Sequence, residues 1–185
     1  MHSKPRRILR PQAGLLVVDI QARLLPAMFE QERVVQNALR LIQGAVALGL
    51  PIFATEQYRQ GLGPTVPEIA SVVPGFDPKE KVTFSAAGAP GFVEALAARH
   101  VLDTVLCGIE THVCVSQTCL DLIGRGFRVF VVADAVSSRT AGNYQLGLDR
   151  MRGAGAVLVS TEMILFELLE QAGTPEFKQL LPLVK

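Results

Sequence analysis

The chain has 185 residues, of which 49% are hydrophobic and 19% are charged, and its formal net charge at pH 7 is +1. A chain of this length buries about 70% of its unfolded surface on folding, so the sequence predicts a single domain over residues 1–185. The near-zero charge excludes a broad attraction to nucleic acid or membranes, and every apolar run stops short of the roughly 18 residues that a membrane span needs. We expect neither as a partner.

The first ten residues hold four Lys or Arg side chains and no acidic one. We interpret residues 1–12 as a solvated leader arm, because the stretch is short and contains Pro5, which argues against a transit peptide or a polyanion-binding arm. The three cysteines are an odd number, fit no zinc pattern and follow no secretory signal. The sequence therefore predicts a reducing, cytoplasmic location.

Apolar runs and helical repeats alternate along the chain, after a first strand that ends in Asp19. The predicted strands are residues 13–20, 51–55, 103–107, 127–132 and 156–159. The predicted helices are residues 32–48, 92–100, 113–124, 143–153 and 162–172, with a last short helix opened by Thr174 and Pro175. This alternation predicts an α/β sandwich of five or six strands around a mainly parallel sheet.

Residues 56–81 form a long connection rich in glycine and proline, and long connections in compact domains are often functional. In an α/β fold the ligand site lies outside the carboxyl ends of the strands. Asp19 ends the first strand and Cys114 follows the strand at residues 103–107, so both should project to that edge.

Residues 105–120 read VLCGIETHVCVSQTCL, an apolar strand, a polar corner and a helix start. A thiol in the first turn of a helix tends toward the nucleophilic thiolate, so Cys114 is the candidate nucleophile, although a buried apolar role fits this stretch equally well. Asp19 is the candidate base. Lys81 would keep Asp19 ionised and lower the thiol pKa; the alternatives are a turn or cap residue for Asp19 and a solvated charge for Lys81.

Asp19 in LLVVDIQ, Lys81 in EKVTFSA and Cys114 in GIETHVCV resemble, in order, the motifs of the isochorismatase-like cysteine hydrolase superfamily. The resemblance runs from about residue 15 to residue 159. It implies a three-layer sandwich with a six-stranded, Rossmann-like sheet, an Asp-Lys-Cys triad on these residues, and assembly into homo-oligomers.

The resemblance also implies a cis peptide bond between Ile109 and Glu110. That bond would aim the backbone N–H groups of Glu110 and Cys114 at the oxyanion, so that the identity of the Glu110 side chain would matter little. His112 is the rival base beside the thiol, but its position varies in this family. We interpret Cys107 and Cys119 as core residues.

Nicotinamidases of this superfamily carry a metal-binding Thr-x-Asp-x-His after the second strand, where this chain has Gln57 and Arg59 in place of the acid and the imidazole. We therefore expect no metal and no cofactor, and the run TEQYRQGLGPTVPE resembles the metal-free branch of isochorismatase-domain-containing proteins. Candidate pocket residues are Gln21, Tyr58, Arg59, Phe84 and His112, with Tyr58 and Arg59 serving this subunit or a neighbouring one.

These residues indicate a metal-independent cysteine hydrolase of a small amide or related acyl compound, working through a thioester. One alternative is a phosphohydrolase using Asp19, but such enzymes want a second carboxylate for Mg²⁺ and the DIQ segment has none. The other alternative is a non-catalytic oligomeric binding protein on the same fold. The sequence does not name the substrate.

Overall fold

The computed structural model of the chain describes residues 7–184. Residues 1–6 of the predicted leader arm lie outside the described residues. Ile8 is 2% exposed and packs into the core, and the Leu9 N–H donates to the Asp103 carboxylate at 2.8 Å. A 3₁₀ turn, Arg10–Gln12, then leads into the first strand. The chain is therefore packed from Ile8 onward, before the predicted end of the arm, because an apolar side chain there finds the core.

Six parallel strands form one sheet in the order β3-β2-β1-β4-β5-β6. They are β1 (Ala13–Val18), β2 (Ile52–Gln57), β3 (Lys79–Lys81), β4 (Asp103–Ile109), β5 (Arg128–Ser137) and β6 (Val157–Val159). The predicted α/β fold is confirmed. The sequence missed β3, a three-residue edge strand made of charged side chains.

Helices cover both faces of the sheet. They are α1 (Gln31–Leu48), α2 (Arg59–Leu62), α3 (Pro67–Ala70), α4 (Phe92–Ala98), α5 (Ser116–Gly124), α6 (Ala141–Gly153), α7 (Thr161–Leu169) and α8 (Pro175–Leu180). Alternate residues of β1 enter two separate core clusters: Leu15 and Val17 pack with α1, α7 and α8, whereas Leu16 and Val18 pack with α4, α5 and α6. This is the three-layer arrangement. No helix among the described residues is long and apolar enough to cross a membrane.

The carboxyl edge of the sheet departs from the predicted bounds in two places. β4 continues to Ile109, and β5 runs to Ser137 rather than stopping at Val132. A shift in the pairing of β4 with β5 occurs between Leu106 and Gly108, after which the two strands pair again. The polar Asp134 falls in this irregular part of β5, which is why the apolar pattern ended early.

Candidate active site

Asp19 is the first residue after β1, with a positive φ of 51°, and it is fully buried. Its Oδ1 accepts from the Thr55 hydroxyl at 2.7 Å, and its Oδ2 accepts from Lys81 Nζ at 2.6 Å. β1, β2 and β3 are neighbours in the sheet, so their carboxyl ends bring these three side chains together. The structure thus places two of the predicted residues in one buried ion pair.

Lys81 ends β3, and its side chain is 0% exposed. Its ammonium donates to Asp19 Oδ2, to Gln57 Oε1 at 2.8 Å and to the Phe84 carbonyl at 3.0 Å. An ammonium has three N–H donors, and all three are used by these acceptors. The alternative interpretation of Lys81 as a solvated charge is wrong. Lys81 supplies positive charge and has no donor left over for a substrate.

Cys114 lies in a π-helical turn, Thr111–Val115, that connects β4 to α5. We call residues 110–115 the cysteine turn. The helical conformation starts at Thr111 rather than at the predicted Val113, and Cys114 lies two residues before α5. Cys114 is 5% exposed, and its thiol lies close enough to Asp19 and Lys81 for the charge of each to act on its pKa. The geometry brings the three predicted residues into one cluster.

The electrostatics of the thiol differ from the prediction. The pKa of Cys114 is raised from 9.0 to about 12, chiefly by burial and secondly by the charge of Asp19, while the charge of Lys81 acts to lower it. The predicted lowering of this pKa is wrong, because desolvation penalises a thiolate and the paired lysine does not outweigh it. The thiol is therefore neutral at pH 7, and a base must take its proton when it attacks.

Two backbone N–H groups of the cysteine turn donate to a single carbonyl, that of Glu110. The peptide bond between Ile109 and Glu110 is cis, at the position the family resemblance implies. The N–H groups of Val113 and Val115 both donate to the Glu110 carbonyl at 3.1 Å, whereas that of Cys114, between them, does not share this acceptor. Among the described residues, the N–H of Glu110 also donates to no protein acceptor.

Two side chains of the cysteine turn are held by the segment after β5. The Glu110 carboxylate is 11% exposed and accepts from Arg139 Nε at 2.8 Å. His112 Nδ1 lies 2.9 Å from the Ser138 hydroxyl, and the His112 N–H donates to the same oxygen at 3.4 Å. The sequence gives no role to the Glu110 side chain, but the structure pairs it with Arg139, whose side chain is 59% exposed.

The predicted pocket residues divide into two kinds. Tyr58 and Phe84 are each 52% exposed. The Tyr58 N–H donates to the Lys81 carbonyl, and the Phe84 carbonyl accepts from the Lys81 ammonium. Gln21 is fully buried; its amide donates to the carbonyls of Gln57 and Gly63, and its oxygen accepts from the Gln57 N–H. Gln21 therefore ties the long connection to the sheet.

The residues at the nicotinamidase metal positions bind other protein groups here. Gln57 accepts from Lys81 and donates to the Val82 carbonyl at 2.9 Å, while Arg59 pairs with the buried Glu56 at 2.8 Å. Among residues 7–184, no group of three or more His, Cys, Asp or Glu is placed to hold a metal ion.

Thr55, Gln57, Ser138 and Arg139 are site residues that sequence reasoning missed as such. Thr55 and Gln57 lie in the TEQYRQGLGPTVPE segment, where the two residues were compared only with the nicotinamidase metal motif. Ser138 and Arg139 follow β5, whose predicted end at residue 132 is five residues too early. The sequence therefore did not place them at the carboxyl edge of the sheet. Cys107 and Cys119 are buried in opposite core layers, as predicted, and burial raises the pKa of each from 9.0 to about 12.

Comparison with known proteins places this arrangement in context. A family model described as the isochorismatase domain matches residues 13–163. Isochorismatase domain-containing protein 2A of Mus musculus is 39% identical over 180 residues, covering 97% of this chain and 85% of the relative.

Two solved structures are similar over most of the chain. The MAR1 ribonuclease of Caenorhabditis elegans superposes with a TM-score of 0.91 at 35% identity, covering 97% of this chain and 92% of that one. The YcaC gene product of Escherichia coli, described as an octameric hydrolase of unknown specificity, gives a TM-score of 0.86 at 32% identity, covering 91% and 85%.

Proposed function

The chain belongs to the isochorismatase family and has its hydrolase fold, and from this premise we propose that it is a metal-independent cysteine hydrolase of a small amide or related acyl compound. The observation that carries the proposal is the buried pair of Asp19 and Lys81, 2.6 Å apart, with the Cys114 thiol near enough for both charges to act on it. A thiol kept neutral by burial needs such a base beside it before it can attack a carbonyl.

Asp19 is the proposed base. A carboxylate has about four lone-pair sites, and Thr55 and Lys81 occupy one on each oxygen, which leaves room for the thiol proton. As Cys114 Sγ bonds to the carbonyl carbon, the thiol proton passes to Asp19. Lys81 balances the negative charge of the cluster throughout and transfers no proton, because its three donors stay on protein acceptors.

The N–H groups of Glu110 and Cys114 are the proposed oxyanion donors. Both are free of the hydrogen bonds that the neighbouring Val113 and Val115 make within the turn. Fixed donors aimed at the developing charge are worth about 100- to 1,000-fold in rate each, as measured in other hydrolases. When the intermediate collapses, Asp19 returns the proton to the leaving amine and a thioester remains on Cys114, which water then cleaves.

The direct test is mass spectrometry of the protein after exposure to a panel of small amides, esters and thioesters. We expect a mass increase equal to the acyl group on Cys114, absent from Cys114→Ala and strongly slowed in Asp19→Asn. If no compound leaves an adduct or is hydrolysed, and Cys114→Ala retains every measurable binding property, the non-catalytic oligomeric binding protein replaces this proposal.

The ribonuclease name of the Caenorhabditis elegans neighbour raises phosphoryl transfer as an alternative. The contacts of Asp19 favour acyl chemistry, since the Lys81 ammonium holds the position beside its carboxylate where a phosphoryl-transfer metal would lie. Mg²⁺-dependent cleavage of RNA or of a phosphate monoester that Asp19→Asn abolishes and Cys114→Ala spares would favour the alternative.

Three further points belong to the same proposal. The octameric Escherichia coli neighbour supports a homo-oligomer, in which Tyr58 and Arg59 serve their own subunit or the next one. The single sheet that carries all the site residues supports one domain as the unit of function. The three cysteines, which are free in the structure, support a reducing, cytoplasmic location.

A further inference from the structure

Ser138 and Arg139, which follow β5, contact the cysteine turn at two points. Arg139 Nε donates to Glu110 Oε2 at 2.8 Å, and the Ser138 hydroxyl bonds to His112. The two partners of the ion pair differ sharply in exposure: the Glu110 side chain is 11% exposed and that of Arg139 is 59% exposed. A solvent-facing cation is thus recruited to a carboxylate that the fold has largely buried.

Glu110 carries both this carboxylate and an N–H group that we assign to the oxyanion. A negative charge left on its side chain would oppose the negative charge that develops on the oxyanion. Like charges repel most strongly where water is excluded. A largely buried carboxylate that loses its partner is also left uncompensated, which destabilises the turn that bears it.

We propose that Arg139 is a positioning residue for acyl transfer, which neutralises Glu110 and fixes the cysteine turn so that its N–H groups stabilise the oxyanion. The inference rests on the proposed function, because it assigns Arg139 a role in the same oxyanion site. Arg139 acts through Glu110 and does not contact the reacting atoms.

Two probes of the same thiol separate this role from a general one. With p-nitrophenyl acetate, Sγ bonds to the acetyl carbon, the thiol proton goes to Asp19, a tetrahedral oxyanion forms and p-nitrophenolate leaves. With iodoacetamide, Sγ displaces iodide at a saturated carbon, so the thiol must still lose its proton but no oxyanion forms. A residue that serves only the oxyanion affects the first reaction and spares the second.

For Arg139→Ala we expect acetylation of Cys114 to slow about 10- to 100-fold, less than the loss of a whole oxyanion donor, while alkylation stays within about twofold. Arg139→Lys, which keeps the charge, should retain most of the rate. In Glu110→Gln/Arg139→Ala the buried charge is gone, so acetylation should recover at least tenfold toward wild type. Arg152→Ala is the matched control: its side chain is 60% exposed, it forms one ion pair at 2.7 Å, with Asp149, and it should change neither reaction.

The outcomes separate the role of Arg139 from the proposed hydrolase function. If wild type acetylates at Cys114 and Arg139→Ala does so equally fast, the role of Arg139 is overturned and the hydrolase proposal stands. If Arg139→Ala slows both probes alike, or the double variant recovers nothing, Arg139 is merely structural. If wild type acetylates no faster than Cys114→Ala, the proposed function itself fails, and the inference that rests on it fails as well.

Discussion

Replacing Lys81 with methionine tests how much the buried Asp19–Lys81 ion pair contributes to the stability of the protein. Both side chains are 0% exposed, so solvent does not screen the loss. The substitution removes three hydrogen bonds of 2.6, 2.8 and 3.0 Å and leaves the Asp19 carboxylate buried with only the Thr55 hydroxyl on it. Breaking a buried pair by removing one partner costs about 3–5 kcal/mol, and we expect the free energy of unfolding to fall by that amount.

In urea unfolding at pH 7 the substitution should lower the midpoint urea concentration and leave the slope unchanged. In thermal unfolding it should lower the midpoint temperature by about 6–20 °C. Lys79→Met is the control, because Lys79 lies on the same strand but is 45% exposed and pairs with the exposed Asp77; it should change stability by no more than about 0.5 kcal/mol. Asp19→Asn/Lys81→Met removes both charges and should regain most of the stability, though not the activity. A loss below about 1 kcal/mol in Lys81→Met, or a double variant no more stable than the single one, would refute the reasoning.

Three other predictions follow from the same geometry. Because burial raises the pKa of Cys114 to about 12, the thiol is protonated at pH 7 and alkylation by iodoacetamide should accelerate steadily from pH 7 to pH 10; a plateau below pH 9 would contradict the neutral thiol. Burial raises the pKa of Cys107 from 9.0 to about 12, so the folded chain keeps a proton that the unfolded chain loses; stability should be full below pH 9 and fall as the pH rises toward 12, and Cys107→Ala should flatten that fall measured by urea unfolding. A Cβ on Gly147 would lie 2.9 Å from the Thr111 carbonyl, so Gly147→Ala should displace the cysteine turn, cost about 1–3 kcal/mol and slow acetylation at least tenfold, whereas Gly142→Ala on the same helix, with nothing within 4 Å, should do neither.

The layered fold was readable because the sheet is buried on both faces. Every residue of β1 is buried, which makes the strand an unbroken apolar run that needs no tertiary information to recognise. The carboxyl-edge rule then placed Asp19 and Cys114 at the same end of the sheet. Lys81 was predicted from its motif, and β3 itself was missed, because a three-residue edge strand of sequence KEK has no apolar signature.

The supporting residues were not readable, for a different reason. The hydrogen bond from Lys81 to Gln57 joins residues 24 apart, and the hydrogen bond from Arg139 to Glu110 joins residues 29 apart. Such contacts depend on strand register, and the register of β4 with β5 shifts between Leu106 and Gly108 just before the site. A local pattern carries no record of such a shift, so the end of β5 and the residues after it were misplaced.

The protonation state of the Cys114 thiol affects how readily it is oxidised. The sequence predicts a thiol in the first turn of a helix, where the helix dipole and a lysine favour the thiolate. Burial to 5% exposure reverses the balance, and the charge of Asp19 works in the same direction. The thiolate is also the form that oxidants attack, so a thiol held neutral until a carbonyl arrives is protected between turnovers. In the proposed mechanism Asp19 takes the thiol proton at the moment of attack, so Asp19, rather than a permanently ionised sulfur, should control the rate.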